Sequence, residues 1–413
     1  MSDKAKDKMM KGQEKRGLVP RLRFPEFRGA GEWEESMLGE ICEVLNNRRK
    51  PITSSDRVKG PYPYYGASGI TDYVADFIFN ERLLLIGEDG ARWGAHEKTA
   101  FIVDGKYWVN NHAHVMKPFA ANDILLENYL TLLDLSPFIT GAAPPKLTLG
   151  KLKEVPIPVS PSDDEQQKIA DCLSSIDELI TAEAQYLDTL KTHKKGLMQQ
   201  LFPKEGETVP RLRFPEFREA GGWEEKRLGD AGKFTGGGTP SKDNKAYWEG
   251  VNPWISSSDI SEDSIHEIKI SRFITDEAIQ ETATKLVPPD SILLVSRVGV
   301  GKLAITHKPI CTSQDFTNFT PAKDNLIFMA YYLRSLKNIF LSFNQGMAIK
   351  GFTKEDVSNL EICVPQLKEQ QKIADCLSSL DELITAEAQH LDTLKTHKKG
   401  LMQQLFPSDG DLR

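Results

Sequence analysis

Apolar residues recur every three or four positions along two long stretches of the chain, residues 165–203 and 369–407. In the first stretch the apolar series is Ile169, Leu173, Ile176, Ile180, Leu187, Leu190, Leu197 and Leu201. This spacing predicts a helix with one narrow apolar seam, which is suited to packing against another helix. At about 1.5 Å per residue each helix would be roughly 55–60 Å long, which is longer than an ordinary domain is wide.

The two stretches are copies of one another. They match at 37 of 39 positions and differ where Ile176 becomes Leu380 and Tyr186 becomes His390. A second segment, residues 19–28, recurs unchanged as residues 209–218. The chain is therefore a tandem of two repeats, each made of an entry segment, a variable body and a long helix.

Charged residues interrupt each apolar seam and suggest how the two helices pair. If the helices run antiparallel, one register places Glu183 opposite Lys398 and Lys194 opposite Glu387, which neutralises all four charges. The alternative is that Glu183 and Lys194 are solvated and that each helix lies only against its own domain. The residues predicted to meet between the helices are Leu173, Ile180, Glu183, Leu187, Leu190, Lys194, Leu377, Ile384, Glu387, Leu391, Leu394 and Lys398, with Leu187 facing Leu394.

The two bodies differ in sequence but follow one order of predicted elements. In the first body, residues 61–69 form an aromatic loop, residues 82–90 a buried strand ending in a glycine turn, residues 106–118 a strand interrupted by polar residues, and residues 124–135 a helix. The counterparts in the second body are residues 235–260, 291–306, 311–321 and 326–343. Short strands with two shorter helices predict an α+β fold.

The predicted architecture is two α+β domains separated by two long antiparallel helices of coiled-coil type, in a pseudo-twofold tandem repeat. Nearly identical flanks around dissimilar bodies favour one scaffold that carries two different binding modules, because drift after a duplication would blur flank and body alike. The predicted division is a disordered leader at residues 1–18, a first domain at 19–162, a first helix at 163–203, a hinge at 204–210, a second domain at 211–366, a second helix at 367–407 and a tail at 408–413.

Composition places the chain among cytoplasmic globular proteins. Of its 413 residues 39% are hydrophobic and 27% are charged, and no apolar run approaches membrane-spanning length. The polar first residues lack the apolar core of an export signal. Five cysteines without CxxC spacing predict reduced thiols and no metal site. The net charge of −7 neither supports nor excludes DNA as a partner, because binding depends on local patches.

Several motifs together resemble the specificity subunit of type I restriction-modification systems, and the resemblance covers nearly the whole chain. The strongest marks are EQQKIADCLSS at the start of both long helices and the segments GGGTPSKDNKAYWEG, PWISSSDI and LLLIGEDGA. The resemblance implies that each body is a target recognition domain and that the paired helices hold the two domains apart. It also implies a bipartite, asymmetric target in double-stranded DNA with an unread spacer.

The resemblance further implies that partners supply the catalysis. Two methyltransferase subunits would dock on the helices, and motor and nuclease subunits would join through them. S-adenosylmethionine, ATP and magnesium are then expected on those partners, with no cofactor on this chain. The residues agree, because Val287-Pro288-Pro289-Asp290 lacks both the Asn or Asp that precedes the prolines and the aromatic residue that follows them in an adenine methyltransferase, and GVGK at 299–302 lacks the Walker A pattern.

Base reading requires amide, guanidinium and hydroxyl groups at base edges, with basic residues on phosphates around them. In the first body the amides at 110 and 111 suit adenine, and the basic run at 48–50 suits phosphates, although a solvated loop explains the run equally well. Tyr64 and Tyr65 could equally be turn packing, and Trp93 could cap the core. His112 and His114 lack further ligands for a metal. The candidates are Arg48, Arg49, Lys50, Tyr64, Tyr65, Ser68, Arg92, Asn110, Asn111, His112, His114 and Lys146.

In the second body, hydroxyls and a carboxylate at 256–259 could accept from cytosine, and amides at 314–318 take the place of the first body's cluster. Arg297 could bind guanine or form a surface salt bridge. The candidates are Ser241, Lys242, Ser256, Ser257, Ser258, Asp259, Arg297, Lys302, Gln314, Asp315, Asn318 and Lys350.

Two rival functions are compatible with parts of the pattern. A non-enzymatic coiled-coil scaffold linking two protein-binding modules would show no sequence-specific DNA footprint in any assembly. A self-contained methyltransferase or nuclease would act alone, so methylation by the isolated chain with S-adenosylmethionine would identify it.

Overall fold

The computed structural model describes residues 18–343 and 351–407, which form two compact units. Unit 1 consists of the described residues up to Ala184 together with those from Gln389 onward, and unit 2 consists of the described residues within Gln185–Ala388. Each unit contains one variable body and one half of each long helix. The predicted leader, apart from Leu18, and the predicted tail lie outside the described residues.

The first body alternates short strands with short helices and leads into the first long helix. Its elements are β1 (Glu34–Met37), α1 (Leu38–Ile41), β2 (Cys42–Val44), β3 (Lys59–Gly66), β4 (Gly69–Val74), β5 (Phe79–Asn80), β6 (Leu83–Gly87), β7 (Ala100–Val103), β8 (Lys106–Val109), β9 (Ala113–Pro118), α2 (Asp123–Leu132), α3 (Leu149–Lys153), β10 (Pro156–Val159) and α4 (Asp163–Leu201).

Two four-stranded sheets form the first body. One is antiparallel with the order β2-β9-β6-β7, and the other has the order β4-β3-β8-β5. In the second sheet β3 and β8 run parallel, with Tyr64 opposite Trp108 and Tyr65 opposite Val109. The parallel pairing brings the C-terminal ends of β3 and β8 side by side. A separate antiparallel pair, β1 and β10, precedes the long helix.

The apolar run of β6 is explained by burial on both faces. Leu84 and Ile86 belong to a core cluster with residues of α2, whereas Leu83 and Leu85 belong to a second cluster with residues of β8 and β9. A strand covered on both sides carries no polar alternation, so its sequence is a continuous apolar run.

The predicted aromatic loop at residues 61–69 is mostly strand, within β3. Tyr64 is buried in a cluster with Val74 and Trp108. Aromatic side chains pack well on a half-buried pleated surface. Pro61 lies at the register shift between Lys59 and Tyr62, where the ladder is already irregular and a missing amide is tolerated.

The second body leads into the second long helix. Its elements are β11 (Glu224–Arg227), α5 (Leu228–Ala231), β12 (Gly232–Gly236), β13 (Asn252–Ile255), β14 (Arg272–Ile274), α6 (Asp276–Glu281), β15 (Leu286–Val287), β16 (Ser291–Leu294), β17 (Leu303–Thr306), β18 (Ile310–Thr312), β19 (Thr317–Pro321), α7 (Leu326–Ser335), α8 (Lys337–Ser342), α9 (Lys354–Ser358), β20 (Glu361–Val364) and α10 (Leu367–Leu405).

The second body repeats the first strand for strand. Its sheets have the orders β12-β19-β16-β17 and β14-β13-β18-β15, β13 and β18 run parallel, and β11 pairs with β20. The helices α6 and α8 have no counterpart in the first body, and α8 follows a break at Leu336 in what was predicted as one helix. The predicted α+β fold is confirmed, and two dissimilar sequences share it.

A buried ion pair ties each entry segment to the start of a long helix. In unit 1 the Arg23 guanidinium donates to both carboxylate oxygens of Glu165 at 2.6 and 2.7 Å, and Trp33 Nε1 donates to the same carboxylate at 3.1 Å. In unit 2 Arg213 binds Glu369 in the same way, at 2.7 Å for both contacts. This shared contact explains why entry segment and helix are repeated together.

The long helices pair antiparallel within each unit. In unit 1, Ile169 and Leu173 of α4 share a core cluster with Met402 and Leu405 of α10. The N-terminal part of α4 therefore packs against the C-terminal part of α10. In unit 2, Leu201 of α4 lies in the core with residues of the first half of α10.

The register of this pair differs from the predicted one. Lys398 binds Asp177, not Glu183, and Lys194 binds Asp381, not Glu387. A slip of about one heptad leaves apolar seam residues facing each other, so the seam pattern alone cannot select a register.

In the observed register each seam lysine pairs with an aspartate at the edge of the seam and not with a seam glutamate. The aliphatic part of each lysine packs in the seam, and its ammonium group reaches an acid at the seam's edge. This arrangement costs less desolvation free energy than burying a glutamate carboxylate in the seam. Among the predicted seam residues, Leu173, Leu187, Leu190, Lys194, Leu377 and Leu391 are buried, and Ile180, Glu183, Ile384, Glu387, Leu394 and Lys398 are half-buried.

Candidate nucleic-acid interface

Each unit presents three loops at one end of its sheets, where β3 or β13, β6 or β16, and β8 or β18 finish. We call them the loop cluster: residues 67–68, 88–92 and 110–112 in unit 1, and residues 256–259, 296–298 and 313–315 in unit 2. Equivalent backbone hydrogen bonds hold both clusters: Asn110 to Tyr65 (3.1 Å), Ser313 to Ile255 (2.9 Å), Glu88 to His112 (2.8 Å) and Ser296 to Asp315 (2.7 Å). The two clusters are therefore structural counterparts.

A buried polar residue shapes the last of these loops in each unit. Asn110 is 6% exposed, and its Oδ1 accepts the backbone N–H two residues later at 2.8 Å. In unit 2, Ser313 Oγ accepts the equivalent N–H at 3.3 Å. These are local turns that Asn and Ser side chains favour. Asn110 was predicted to contact a base, but its burial makes it a positioning residue, and it leaves Asn111 exposed where Gln314 is exposed in unit 2.

Three charged or titratable groups meet at the cluster of unit 1. Asp89 accepts hydrogen bonds from His112 Nδ1 and from Lys146 Nζ, the latter at 2.9 Å. Burial works to raise the pKa of Asp89, but the hydrogen bonds from Lys146 and His112 outweigh it and hold the pKa below its ordinary value. His112 is about half exposed, so this ionised aspartate orients an imidazole that faces solvent.

The three residues of the basic run at 48–50 have different contacts. Arg49 Nη1 donates to Glu88 at 2.7 Å and so braces the loop cluster from inside. Arg48 donates to Glu81 at 2.7 Å. Lys50 is exposed, and its side chain has no hydrogen-bond partner in the described part of the chain. Of the three, Lys50 is the residue available for a phosphate.

Burial contradicts the prediction that His114 reads a base. His114 is 1% exposed, with Nε2 donating to the Leu147 carbonyl at 2.7 Å and Nδ1 accepting from the Asn46 amide at 2.9 Å. Burial lowers the pKa of His114. A neutral ring with both nitrogens engaged has no polar atom left for DNA.

Three further predicted contacts are also buried. Asn318 is fully buried and its amide donates to the Thr235 carbonyl at 3.1 Å. Tyr64 lies in the sheet core with the Arg57 guanidinium 4.4 Å from its ring centroid. Ser257 is 8% exposed. Burial leaves these three side chains little surface for a base, and the polar atoms of Tyr64 and Asn318 serve hydrogen bonds of the fold itself.

The candidate residues at the glycine turn after β6 and at the end of β3 differ in how exposed they are. Trp93 caps the core, because Nε1 donates to the Gly87 carbonyl at 3.2 Å and the ring packs against the core cluster. Arg92 is 84% exposed, with Glu97 at 3.8 Å. Tyr65 is half-buried, and burial raises its pKa. Ser68 is exposed.

In unit 2 an arginine organises the loop after β13. Arg272 donates to the Asp259 carboxylate and, at 2.8 Å, to Ser256 Oγ. The Asp259 carboxylate also accepts from the Ser256 backbone N–H at 2.7 Å. Asp259 is thus occupied within the protein, whereas Ser258 remains exposed.

The remaining candidates of unit 2 lie at its surface or in its loops. Arg297 is exposed and forms no ion pair with the described residues, so its proposed surface salt bridge is not formed there. Gln314 is exposed and accepts from Thr239 Oγ1. Asp315 and Lys302 are half-buried, and Ser241 and Lys242 are exposed. Lys350 lies outside the described residues.

Sequence reasoning missed several residues that position these loops. Arg272 is distant in sequence from Asp259, and Glu88 and Asp89 are acids, so a search for basic and amide groups passed over them. For the helix pair the sequence did contain a signal: Asp177 and Asp381 occupy the same position of the two copies, so both could have been considered as partners of the seam lysines.

Within the ranges that the structure covers, no group of three or more His, Cys, Asp or Glu side chains is placed to hold a metal ion. No helix there has the length and apolar character needed to cross a membrane.

Comparisons with known proteins agree with these features. Residues 30–192 and 220–396 match the family model described as the type I restriction modification DNA specificity domain. A putative type I restriction enzyme specificity subunit of Haemophilus influenzae is 30% identical over 358 residues, which are 85% of this chain and 88% of that protein. The putative MjaX specificity subunit of Methanocaldococcus jannaschii is 28% identical over 410 residues, 91% and 93% of the two chains.

Solved structures share the fold. The S subunit of a type I restriction-modification system from M. genitalium superposes with a TM-score of 0.61 at 14% identity, covering 95% of this chain and 100% of that one. A chain from a type I system studied for its assembly and conformational transition gives a TM-score of 0.55 at 19% identity, covering 91% and 98%.

Proposed function

The chain belongs to the family of type I restriction-modification DNA specificity subunits, and from that premise we propose that units 1 and 2 each recognise one half of a split DNA target. As a specificity subunit it is a non-catalytic component of its restriction system. Its task is to select the DNA sequence on which other subunits act.

One observation carries this proposal: the two units share a fold and a scaffold but differ in their loop clusters. The strand orders are the same, and the entry segments and long helices are nearly identical in sequence. The exposed groups of the clusters differ, with Asn111 and His112 in unit 1 and Ser258, Arg297 and Gln314 in unit 2. Different donors and acceptors at equivalent positions suit two different half-sites, and hence an asymmetric target.

The chemistry of each cluster is adequate for base reading. An exposed amide such as Asn111 or Gln314 can bond bidentately to adenine, and a free guanidinium such as Arg297 can bond to guanine. Lys50 and Lys146 lie beside the cluster of unit 1 as sequence-independent contacts to phosphates.

The repeated scaffold supports two copies of one partner, which we assign to methyltransferase subunits. Large apolar side chains are exposed at equivalent positions of both repeats, with exposures of 40% and 36% for Leu22 and Leu212 and of 43% and 37% for Leu179 and Leu383. Exposed apolar residues that recur in pairs favour a protein partner that binds twice. Motor and nuclease subunits would join through these partners, which would hold S-adenosylmethionine, ATP and magnesium.

Genome-wide mapping of methylated adenines in cells that carry this system tests the proposal directly. The expected result is one bipartite motif with two different half-sites and a constant gap. Inserting one heptad into each long helix adds about 10 Å, so the gap should grow by about three base pairs while both half-sites stay the same. If the insertion changed the bases of either half-site, the proposal that the bodies read the bases and the helices set the gap would be wrong.

A further inference from the structure

Unit 2 contains a cationic cavity beside its loop cluster, and its lining includes Lys242, one of the candidate DNA contacts, and Arg272, which organises the loop after β13. The cavity has a volume of about 540 Å³ and is lined by Lys242, Lys245, Trp248, Glu249 and Arg272. The cavity is shallow and open to solvent, which suits a group on the outside of a duplex better than an enclosed small molecule. Four of the five lining residues come from the segment between β12 and β13, and the fifth comes from β14.

Aromatic packing fixes the walls of the cavity. Trp248 stands edge-on to the buried Trp254, with ring centroids 5.1 Å apart, and its Nε1 donates to the Ser241 carbonyl at 3.1 Å. The Arg272 guanidinium lies over the Trp254 ring at 4.5 Å. The wall is therefore held in place before any ligand arrives.

The cavity adjoins the loop cluster directly. Arg272 bonds to Ser256 and Asp259, which belong to the cluster. On the other side, Trp254 Nε1 donates to the Gly238 carbonyl at 2.9 Å, and Gly238 N donates to the carbonyl of Thr312, the residue before the last loop of the cluster. A duplex read by the cluster would thus pass next to the cavity.

The charge balance favours an anion. Asp259 pairs with Arg272 and Glu249 offsets one lysine, so the lining residues keep one positive charge, and Asp243, between the two lysines, lies outside the lining. Neither Lys242 nor Lys245 has a hydrogen bond or ion pair from its ammonium group to any residue that the structure describes. A net positive cavity in a chain of net charge −7 is a local exception.

The equivalent segment of unit 1 carries the same character. There the loop between β2 and β3 includes Lys50, whose carbonyl accepts from Trp108 Nε1, although Trp108 lies on β8 whereas Trp254 lies on β13. Lys50 is also exposed and free of partners among the described residues. The two loops differ in sequence but occupy the same position in the topology. Each places at least one exposed lysine, without an ion-pair partner among the described residues, at the edge of its loop cluster.

We propose that the cavity holds a backbone phosphodiester of the DNA strand flanking the half-site of unit 2, with Lys242 and Lys245 as its cationic contacts and Arg272 and Trp248 as its preformed wall. This rests on the proposed DNA-reading function and extends it by a specific anchoring site. A phosphate contact carries no sequence information, so the site contributes affinity and register and leaves base selectivity to the loop cluster.

The test uses the complex of this chain with its methyltransferase partner and a duplex carrying the mapped target. Affinity is measured between about 50 and 200 mM salt for the wild type, for Lys242→Ala/Lys245→Ala, and for the control Lys308→Ala/Lys323→Ala, which removes two exposed lysines at the other ends of β18 and β19. The cavity variant should reduce the slope of log affinity against log salt by about one, the contribution of one phosphate, equally on target and unrelated DNA. The control should keep the wild-type slope.

Two further measurements locate the contact. A target duplex with a neutral methylphosphonate at the contacted position should lower wild-type affinity and leave the cavity variant unaffected. Glu249→Gln should tighten binding to every sequence, because it removes the one unpaired acid of the wall.

The results separate this proposal from the function it extends. An unchanged salt slope in the cavity variant, with selective binding intact, overturns the phosphate site alone. A loss confined to one base pair also overturns it, because the cavity would then read a base. A wild-type complex that does not distinguish target from unrelated DNA overturns the proposed function itself.

Discussion

Lys398 donates to both carboxylate oxygens of Asp177, at 2.7 Å each, and the same pair recurs in unit 2 as Lys194 and Asp381. The two copies differ in burial. Asp177 is 47% exposed and Asp381 only 15%, because the Tyr331 hydroxyl donates to Asp381 at 2.5 Å and covers it. One sequence motif therefore forms a surface ion pair in one unit and a buried one in the other.

Removing the acid should have unequal effects in the two copies. Asp381→Asn leaves Lys194 charged and 9% exposed without a counter-ion, which should destabilise unit 2 by about 3 kcal/mol. Asp177→Asn, the matched control, should cost less than about 1 kcal/mol, because Asp177 is about half exposed and Lys398 keeps about twice the exposure of Lys194. Urea unfolding of the full chain measures both, and equal losses would show that the burial difference has no energetic weight.

The entry segment should confer acid sensitivity on unit 1. Burial works to raise the pKa of Glu165, but hydrogen bonds from Arg23, Ser160 and Trp33 outweigh it, so the pKa lies below its ordinary value. A carboxyl group with a depressed folded-state pKa stabilises the fold at pH above about 4.5, and this contribution is lost as the pH falls through the folded-state value.

Glu165→Gln should therefore lower stability at neutral pH by about 3 kcal/mol, since it leaves Arg23 buried without its counter-ion. Its stability should then fall less than that of the wild type as the pH drops below about 4.5. Denaturation midpoints across this range provide the measurement. Glu26→Gln, which removes an exposed acid 3.5 Å from Lys168, should match the wild type to within about 1 kcal/mol.

Asn110 should control recognition of the first half-site without touching it. Asn110→Ala removes the acceptor that shapes the turn, so selectivity for the first half-site should fall while the second is still read. Asn110→Ser introduces the residue that performs this task in unit 2 as Ser313 and should restore selectivity. Binding to duplexes with single-base changes in each half-site distinguishes the variants, and an equal effect on both half-sites would contradict a local positioning role.

Asn111 and Gln314 should each govern one half-site. Replacing either with alanine should cost about 1–3 kcal/mol of discrimination at one base pair and leave the other half-site unchanged. Each variant is the control for the other, measured by methylation of targets substituted at every position in turn. A uniform loss of affinity without relaxed selectivity would reassign the residue to the DNA backbone.

The sequence predicts regular features of this fold better than its side-chain contacts. The long helices follow from periodicity and repetition, and the shared succession of elements in the two bodies follows from local patterns of apolar and turn residues. The partners of Lys194 and Lys398 do not follow, since a heptad slip preserves the seam. The burial of His114 depends on Asn46 and Leu147, which are remote in the sequence, so no local pattern shows that this imidazole belongs to the core.

Unit 1 is discontinuous, and this governs how the chain can mature. Its core joins Trp33 and Leu173 to Met402, Leu405 and Phe406, whereas unit 2 is built from consecutive residues. Residues up to Phe406 must therefore be synthesised before the core of unit 1 can close. A premature stop codon that deletes α10 would expose Trp33 and Leu173, which pack against it. Cellular proteases could then recognise the truncated protein by this exposed apolar surface.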